Sequence, residues 1–514
     1  MGRAKTAVWS IVLLCAMGAA AAQESYDQPW RPQYHFTPAR NFMNDPNGMV
    51  FYKGEYHLFY QYNPQGQVWG HMSWGHAVST DMVHWQDLRL AIPEDPNFMI
   101  YSGSAVVDWN NSSGLCKNPD PADHSCLIAI YAADYHQKQE RTHIAYSNDR
   151  GRTWTNYAGN PVIDVDAADF RDPKVFWYEP QKKWVLVAVL ADRRKALFFS
   201  SADLRQWTKL SEFGPAGDDA GQWECSDLLE LAVEGTKETR WVLIINRNPG
   251  APAGGTGVRY LIGQFDGTTF TEQESTGRKL WVDYGKDFYA TNSFNDMPKG
   301  DERRIWMGWT SNWLYAKDEP TVPWRGAQSI PRTLTLRKVA GEMVMAQAPV
   351  QELQSLRGKP FHLKDVSVGY ATAKLARRGE KLECYEIEAE LEPGARSEMG
   401  FRLRTSQGVA TVVGIVPATS SLFVDRTESG DVGFSKDFSG RFSTTVSDTK
   451  RVKLHIFVDR SSVEVFAKDG EKVMTDRIYP PPGSTGIEVY STGSGGKVVS
   501  LTVWPLKSVW GAGK

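Results

Sequence analysis

Three acidic residues stand at the head of the same strand–turn–strand pattern, and this recurrence indicates a shared site. Asp45 precedes the apolar run MVFY, a Lys-Gly turn and a second apolar run. Asp172 and Glu224 each begin an equivalent pair of runs. If these pairs are equivalent strands of a radial repeat, the three carboxylates converge on one axis. Clustered carboxylates on a β-scaffold can supply the nucleophile and the acid/base group that cleave a glycosidic bond.

Three carboxylates that lie close together repel, so at least one is expected to have a raised pKa and to stay protonated near neutral pH. A retaining glycosidase needs one ionised and one protonated carboxyl group about 5–5.5 Å apart. Each motif alone also has a structural explanation. The run NDPNG around Asp45 is typical of a turn, Asp172 can form an ion pair with Arg171, and Glu224 can simply begin a strand. The recurrence of acids at one position in three repeats favours the functional interpretation.

Five segments of the chain share one layout: a polar or small start, an apolar strand, a turn and a second apolar strand. They begin near Asp45, Ser102, Asp172, Glu224 and Tyr289. Hairpin turns with Asp or Gly at the tip, followed by an aromatic residue, extend the units to about four strands each. Four-stranded units repeated around an axis form a β-propeller, so the sequence predicts five blades across residues 34–339.

The second part of the chain has a different pattern of apolar and polar residues. Residues 340–360 are interpreted as a linker with a short helix, because Pro349 and Gly358 suit the start and the end of a helix. Across residues 361–510, apolar and polar residues alternate between turns, which predicts an antiparallel β-sandwich. The predicted fold class is therefore all-β, a five-bladed β-propeller followed by a C-terminal β-sandwich, with no further helix.

The length, the net charge and the N-terminal residues indicate how many domains the protein has, which partners are unexpected and where it is located. A chain of 514 residues is too long for one ordinary core, and its net charge of −2 gives no reason to expect a nucleic-acid partner. Basic residues followed by an apolar stretch and three alanines predict a signal peptide over residues 1–22. We therefore expect a secreted or periplasmic protein with no membrane association after cleavage; a monomer is the default assumption.

Four cysteines remain after the predicted signal peptide. Cys116 and Cys126 lie in a loop between two strand-like runs, where an oxidising compartment would favour a local disulfide. Cys225 and Cys384 are interpreted as small buried residues. Because no CxxC pair is present and the histidines lie in strands and turns, the sequence predicts no metal site.

The acidic motifs resemble those of glycoside hydrolase family 32, which contains invertases, inulinases and levanases, and the match covers nearly the whole mature chain. NDPNG, FRDP and WECSD resemble the nucleophile, transition-state stabiliser and acid/base motifs of that family. The resemblance implies that Asp45 is the nucleophile, Asp172 the stabiliser and Glu224 the proton donor. The run DRSSVEVF from Asp459 resembles the signature of the family's C-terminal sandwich.

Further local matches imply a set of substrate-binding residues. Tyr101 stands where the family motif has Phe, a departure that we expect to alter the pocket wall while Ser102 keeps its role. The residues that the resemblance assigns to substrate binding are Asn44, Gln61, Trp69, Tyr101, Ser102, Arg171 and Trp313.

The resemblance implies release of terminal non-reducing β-D-fructofuranosyl units from inulin, levan and sucrose through a covalent fructosyl-enzyme, without a metal or organic cofactor. Several alternatives stay open. One is a sucrose-specific invertase or a transfructosylase of the same family. Another is a propeller that binds carbohydrate without catalysis, and a third is an inverting arabinan-type glycosidase. The sequence leaves open the preference among sucrose, inulin and levan, and the choice between exo and endo action, although secretion favours an exo-acting fructanase.

Overall fold

The computed structural model describes residues 25–511, apart from 118–119, 121, 137, 219, 274–276 and 379–380. The predicted signal peptide, residues 1–22, lies outside the described residues. Antiparallel strands dominate the described chain, so the prediction of an all-β fold is confirmed. Within the described ranges, no helix has the length and apolar character that a membrane crossing requires.

Blades I, II and III are the first three antiparallel sheets. Blade I contains β1 (Asn41–Tyr52), β2 (Glu55–Asn63), β3 (Ser73–Ser79) and β4 (Gln86–Asp87). Blade II contains β5 (Met99–Asp108), β6 (Cys126–Asp134), β7 (Glu140–Ser147) and β8 (Thr155–Asn156). Blade III contains β9 (Phe170–Tyr178), β10 (Lys183–Leu190), β11 (Lys195–Ser201) and β12 (Thr208–Phe213). In blade II, a disulfide joins Cys116 to Cys126 at the start of β6.

Blades IV and V complete the N-terminal part. Blade IV contains β13 (Gln222–Ala232), β14 (Thr239–Asn248), β15 (Gly257–Phe265), β16 (Phe270–Glu272) and β17 (Leu280–Trp281). The next strands along the chain are β18 (Tyr289–Ser293), β19 (Arg304–Trp309), β20 (Trp324–Arg325), β21 (Arg332–Val339) and β22 (Glu342–Pro349). Four of these form blade V, whereas β20 leaves it and pairs in parallel with β1 of blade I.

The first strands of the five blades are neighbours in a cycle. β1 lies beside β5, β5 beside β9, β9 beside β13, β13 beside β18, and β18 again beside β1. Facing blades bury apolar side chains between them, as Val187 of blade III does against Leu243 and Ile245 of blade IV. The arrangement is the five-bladed propeller that the repeats predict, with the first strand of each blade innermost.

The stretch 340–360, interpreted from the sequence as a linker, contains the outer strand of blade V as well as a short helix. A tight turn at Ala340 and Gly341, both with left-handed φ, reverses the chain and lets β22 pair with β21 over its whole length. A 3₁₀ helix, Gln351–Leu356, then buries Leu353 and Leu356.

Two packed sheets form the C-terminal part. The strands are β23 (Phe361–Ser367), β24 (Tyr385–Glu392), β25 (Met399–Ser406), β26 (Val409–Val416), β27 (Ser421–Glu428), β28 (Arg441–Thr445), β29 (Val452–Asp459), β30 (Ser462–Ala467), β31 (Lys472–Arg477), β32 (Gly486–Ser491) and β33 (Lys497–Pro505). One sheet has the order β23-β33-β24-β29-β30-β31 and the other β28-β27-β26-β25-β32. Every pairing is antiparallel, and one apolar core lies between the sheets, so the predicted β-sandwich is confirmed.

One helix contradicts the expectation that the sandwich has none. The α-helix α1 (Val368–Ala376) follows β23, and its first turn is capped because Tyr370 N–H donates to Ser367 Oγ. Ala371 and Leu375, four residues apart, lie on one face of α1 and are buried in the sandwich core. The expectation was wrong because this apolar pair is too sparse to stand out among alternating strands.

A buried ionic network joins the propeller to the sandwich. His35 lies between Asp459 and Glu464, with Nδ1 2.8 Å from Asp459 Oδ2 and Nε2 2.9 Å from Glu464 Oε1. Glu464 also accepts from Arg332 Nη2 of blade V at 2.6 Å, and Arg332 reaches Asp283 at 3.2 Å. All five side chains are buried. The run DRSSVEVF thus contributes two acids that hold the sandwich against the propeller.

Candidate active site

Each of the five innermost strands carries a β-bulge at the same level, near its first residues. At every one, two residues of the inner strand face a single residue of the neighbouring strand. The bulged pairs are Asn44–Asp45, Tyr101–Ser102, Asp172–Pro173, Cys225–Ser226 and Ala290–Thr291. A bulge breaks the alternation of a strand and re-aims a side chain. In blades I, II and III, bulged residues themselves line the active-site pocket, whereas in blades IV and V the residue just before the bulge, Glu224 or Tyr289, does so.

The side chains at this level line one pocket of about 580 Å³. The structure brings together all ten residues to which the sequence analysis gave catalytic or substrate-binding roles. They are Asn44, Asp45, Gln61, Trp69, Tyr101, Ser102, Arg171, Asp172, Glu224 and Trp313. Three carboxylates from blades I, III and IV thus share one cavity.

Asp45 lies at the bottom of the pocket, only 9% exposed. Its Oδ2 accepts from Ser102 Oγ at 2.6 Å, and its Oδ1 accepts from Asn44 Nδ2 at 2.9 Å. Burial raises the pKa of Asp45 to about 6, with a further rise from the nearby charge of Glu224, although the Ser102 hydrogen bond opposes the shift. Asp45 is therefore ionised at neutral pH and gains a proton in mild acid.

Cys225 contacts the acid of blade III through its backbone and the acid of blade I through its side chain. Its N–H donates to Asp172 Oδ2 at 2.7 Å, and its thiol lies 3.4 Å from Asp45 Oδ2. This single residue, adjacent to Glu224 in the chain, therefore links the carboxyl groups of Asp45 and Asp172. Burial, and then the charge of Glu224, raise the pKa of Asp172 to about 7, while Arg171 opposes the rise.

Both carboxylate oxygens of Glu224 are held by donors. Arg171 Nη1 donates to Oε1 at 3.1 Å, and the Tyr289 hydroxyl donates to Oε2 at 2.5 Å. Arg171 is fixed in turn by Glu140, whose two oxygens accept from its Nε and Nη2, each at 2.9 Å. A two-point contact of this kind sets the plane of a guanidinium group, so Glu140 aims Arg171 at Glu224.

The predicted binding residues divide into a polar floor and an aromatic wall. Gln61 is 2% exposed, and its Nε2 has no hydrogen-bond partner among the described residues, as is true of Asn44 Oδ1. Buried polar atoms of this kind cost free energy unless a ligand or water pairs with them. Trp69 packs edge-to-face with Tyr101, and Trp313 lies against Phe42.

The substitution of Tyr for Phe at position 101 has a visible consequence. The Tyr101 hydroxyl forms a hydrogen bond with Asp134, while the ring keeps its place in the pocket wall beside Trp69. The side chain thus preserves the apolar surface and anchors it at one end.

Several residues of the site were not predicted. Tyr289 heads the fifth repeat and directly precedes its bulge, as Glu224 does in the fourth, so its position was the signal that sequence reasoning had and did not use. Glu140 gives no local signal, because it reaches the site only through Arg171. The remaining unpredicted residues that line the pocket are Val68, Asn248 and Lys317.

One further group of potential metal ligands lies in the sandwich. The donor atoms of Glu386, Glu388 and His455 fall within 4.8 Å of one another, and no other such group occurs in the described part of the chain. Arg357 donates to both glutamates. Since Arg357 pairs with both carboxylates and His455 pairs with Glu386, the group is an ion-pair network whose oxygens are already engaged.

Comparison with known proteins agrees with this geometry. The family model described as "Glycosyl hydrolases family 32 N-terminal domain" matches residues 35–349, and the model described as "Glycosyl hydrolases family 32 C terminal" matches residues 352–505. The chain belongs to glycosyl hydrolase family 32. It is therefore a glycoside hydrolase, and the resemblance carried by the three acidic motifs is confirmed.

Relatives within family 32 match over nearly the full chain. A levanase of Bacillus subtilis is 49% identical over 98% of this chain and 74% of its own length. An extracellular exo-inulinase of Aspergillus niger is 37% identical over 97% of this chain and 98% of its own length. The crystal structure of an exo-inulinase from Aspergillus awamori superposes with a TM-score of 0.86 at 36% identity, covering 95% of this chain and all of that one.

Proposed function

We propose that this family 32 enzyme removes terminal β-D-fructofuranosyl units from the non-reducing ends of fructans and from sucrose, with retention at the anomeric carbon. The observation that carries the proposal is the contact of Cys225 with both Asp45 and Asp172 beside Glu224. This contact brings the proposed nucleophile, stabiliser and proton donor together in one cavity of about 580 Å³. The relatives named levanase and exo-inulinase support fructans as the substrate class.

In the first step, the Asp45 carboxylate attacks the anomeric carbon and forms a covalent fructosyl-enzyme. Its hydrogen bonds from Ser102 and Asn44 keep the carboxylate oriented and partly ionised in mild acid. Burial removes competing water, which strengthens the attack.

Glu224 protonates the leaving oxygen in that step and then takes a proton from the water that releases fructose. Tyr289 and Arg171 hold the two oxygens of Glu224, so the carboxyl group keeps one direction through both steps. Asp172, fixed by the Cys225 N–H, hydrogen-bonds the ring hydroxyls and stabilises the positive charge that develops on the sugar.

The depth of the site supports exo action. Asp45, Asp172 and Gln61 are buried at the floor, whereas Trp69 and Val68 are 36% and 50% exposed at the mouth. A pocket that is closed at its floor accepts the terminal sugar of a chain. The rest of the polymer then extends past the exposed rim. The predicted signal peptide and the extracellular relative support secretion.

The test pairs substrate profiling with one matched substitution. We expect the wild type to release fructose alone from inulin, levan and sucrose, and NMR at early times to show the β-anomer first. Asp45→Asn should lower kcat by about 10³-fold or more, because the nucleophile is lost. Asp365→Asn is the control, since Asp365 lies exposed on the sandwich and pairs with Lys497. Release of the inverted anomer, or an Asp45→Asn enzyme as active as the control, would contradict the proposal.

A further inference from the structure

The innermost strands end in a second cavity, opposite the active site. It measures about 360 Å³ and lies where β9, β13 and β18 finish. Asp172 at the head of β9 faces the active site, and Trp177 near its end faces the second cavity. The two residues are five positions apart along β9, which corresponds to about 16 Å. We call this space the lower cavity.

Aromatic rings form the walls of the lower cavity. Phe176 lies 5.7 Å from Trp241, and Trp177 packs edge-to-face with Trp184 at 5.1 Å. Among the described tryptophans only three are exposed: Trp69 at the mouth of the active site, and Trp177 and Trp109 at this opposite end. Exposed apolar rings that are grouped on one part of a surface often mark a binding site.

Hydrogen bonds fix the exposed rings in orientation. Trp177 Nε1 donates to Glu179 Oε2 at 2.6 Å, and Trp109 Nε1 donates to Asp296 Oδ1 at 2.8 Å. Glu179 and Asp296 both line the lower cavity. An indole ring held in this way offers its face without losing further side-chain freedom on binding.

Polar groups at the floor are left available for a ligand. Asp227 is 1% exposed, and its Oδ2 accepts from Ser293 N–H and lies 3.4 Å from Lys174 Nζ. Its Oδ1 has no hydrogen-bond partner among the described residues. The Arg304 side chain lies exposed at the mouth. The cavity thus combines flat apolar faces with acceptors and a donor, which is the pattern that binds a polyhydroxylated ring.

We propose that the lower cavity is a second, non-catalytic binding site for a glycosyl unit of the polymer substrate, an inference that rests on the proposed fructan substrate. The ring stacks on the exposed Trp177, and its hydroxyls pair with Asp227 and Arg304. A fructan carries many identical units, so a chain held here keeps the enzyme on the polymer. The site adds affinity for polymers and leaves the chemistry to the three acids.

The test measures binding in the full-length chain carrying Asp45→Asn, which prevents hydrolysis. Native electrophoresis through gels with soluble inulin or levan gives the retardation of each variant. We expect adding Trp177→Ala to weaken the apparent affinity about fivefold, the effect of losing one stacked ring. Tyr370→Ala is the matched control, because Tyr370 is a similarly exposed aromatic residue on α1. Arg304→Ala leaves every aromatic ring in place. It therefore tests the lower cavity independently if the Trp177→Ala variant folds poorly.

The outcomes separate this inference from the proposed function. Weaker retardation of both Trp177→Ala and Arg304→Ala, with Tyr370→Ala unchanged, supports the lower cavity. Retardation of both variants equal to that of the control overturns it, even if the wild type hydrolyses fructan normally. Failure of the wild type to hydrolyse sucrose, inulin or levan would instead refute the proposed function.

Discussion

At the residue scale, neighbouring side chains in the site influence one another's protonation. Cys225 holds Asp172 by its N–H and touches Asp45 with its thiol, and burial raises the pKa of both acids. The pKa of both carboxyl groups is raised, as the sequence analysis expected of at least one, but burial contributes more to the rise than repulsion from Glu224 does. The pH range of the enzyme is therefore a property of the cluster.

The acid limb of activity should follow Asp45. Because its pKa is raised to about 6, kcat/KM should fall as the pH drops below that value and the nucleophile becomes protonated. The Ser102 hydroxyl stabilises the ionised form, so Ser102→Ala should raise this pKa and move the acid limb to higher pH. A pH profile of kcat/KM on sucrose for both enzymes checks this. A limb that stays in place or moves to lower pH would contradict the assignment.

Glu140 should act on catalysis through Arg171. Glu140→Ala leaves the guanidinium without its two-point partner, so Arg171 should orient Glu224 less well and kcat should fall about 10- to 100-fold. KM for sucrose should change less than kcat. Glu55→Ala is the control, because Glu55 pairs with Arg150 and Arg152 away from the pocket. Equal kinetics for the two variants would show that Glu140 is only structural.

At the element scale, the five β-bulges give the pocket its shape. The sequence could predict where the five innermost strands begin and which three of them carry an acid there. These acids recur at the start of an apolar–turn–apolar pattern. The bulges themselves were not predictable, since the extra residue is visible only when the partner strand is known. The helix α1 and the outer strand β22 were missed for the same reason: tertiary packing, more than local pattern, decides them.

The bulge in β18 should tolerate glycine and reject a branched residue. Ala290 has φ of 53° and is fully buried beside Tyr289. Ala290→Val forces a β-branched side chain into a left-handed conformation, at a cost on the order of 1–3 kcal/mol. Ala290→Gly removes the conformational strain and should change unfolding by less than about 1 kcal/mol. Urea unfolding of the three proteins measures the difference, and equal midpoints for Val and Gly would refute it.

At the scale of the whole molecule, the propeller and the sandwich share buried charges. Burial works to lower the pKa of His35, but its hydrogen bonds to Asp459 and Glu464 raise it to about 9. His35 therefore binds its proton more tightly in the folded protein than in the unfolded chain. This linkage adds stability that is complete below pH 6.5 and is lost as the pH rises through 9.

The alkaline loss of stability should depend on His35. The shift in pKa corresponds to about 3 kcal/mol, so the midpoint of thermal unfolding should be lower at pH 9 than at pH 6. His35→Gln should lower the midpoint at pH 6 and flatten its change with pH. His71→Gln is the control, because His71 is half exposed and pairs with Glu94 at the surface. A His35→Gln protein with the pH dependence of the control would contradict the linkage.

The return of β20 to blade I gives the ring a seam, and the residues before it form part of the pocket wall. Trp313 and Lys317 line the site just ahead of Trp324, whose strand is fastened beside β1. Loosening between the last and first blades is therefore expected to shift this part of the wall relative to the rest of the pocket. Catalytic activity should therefore depend on closure of the ring of blades. On warming, we expect turnover to be lost at a lower temperature than the one at which most of the β-sheets unfold.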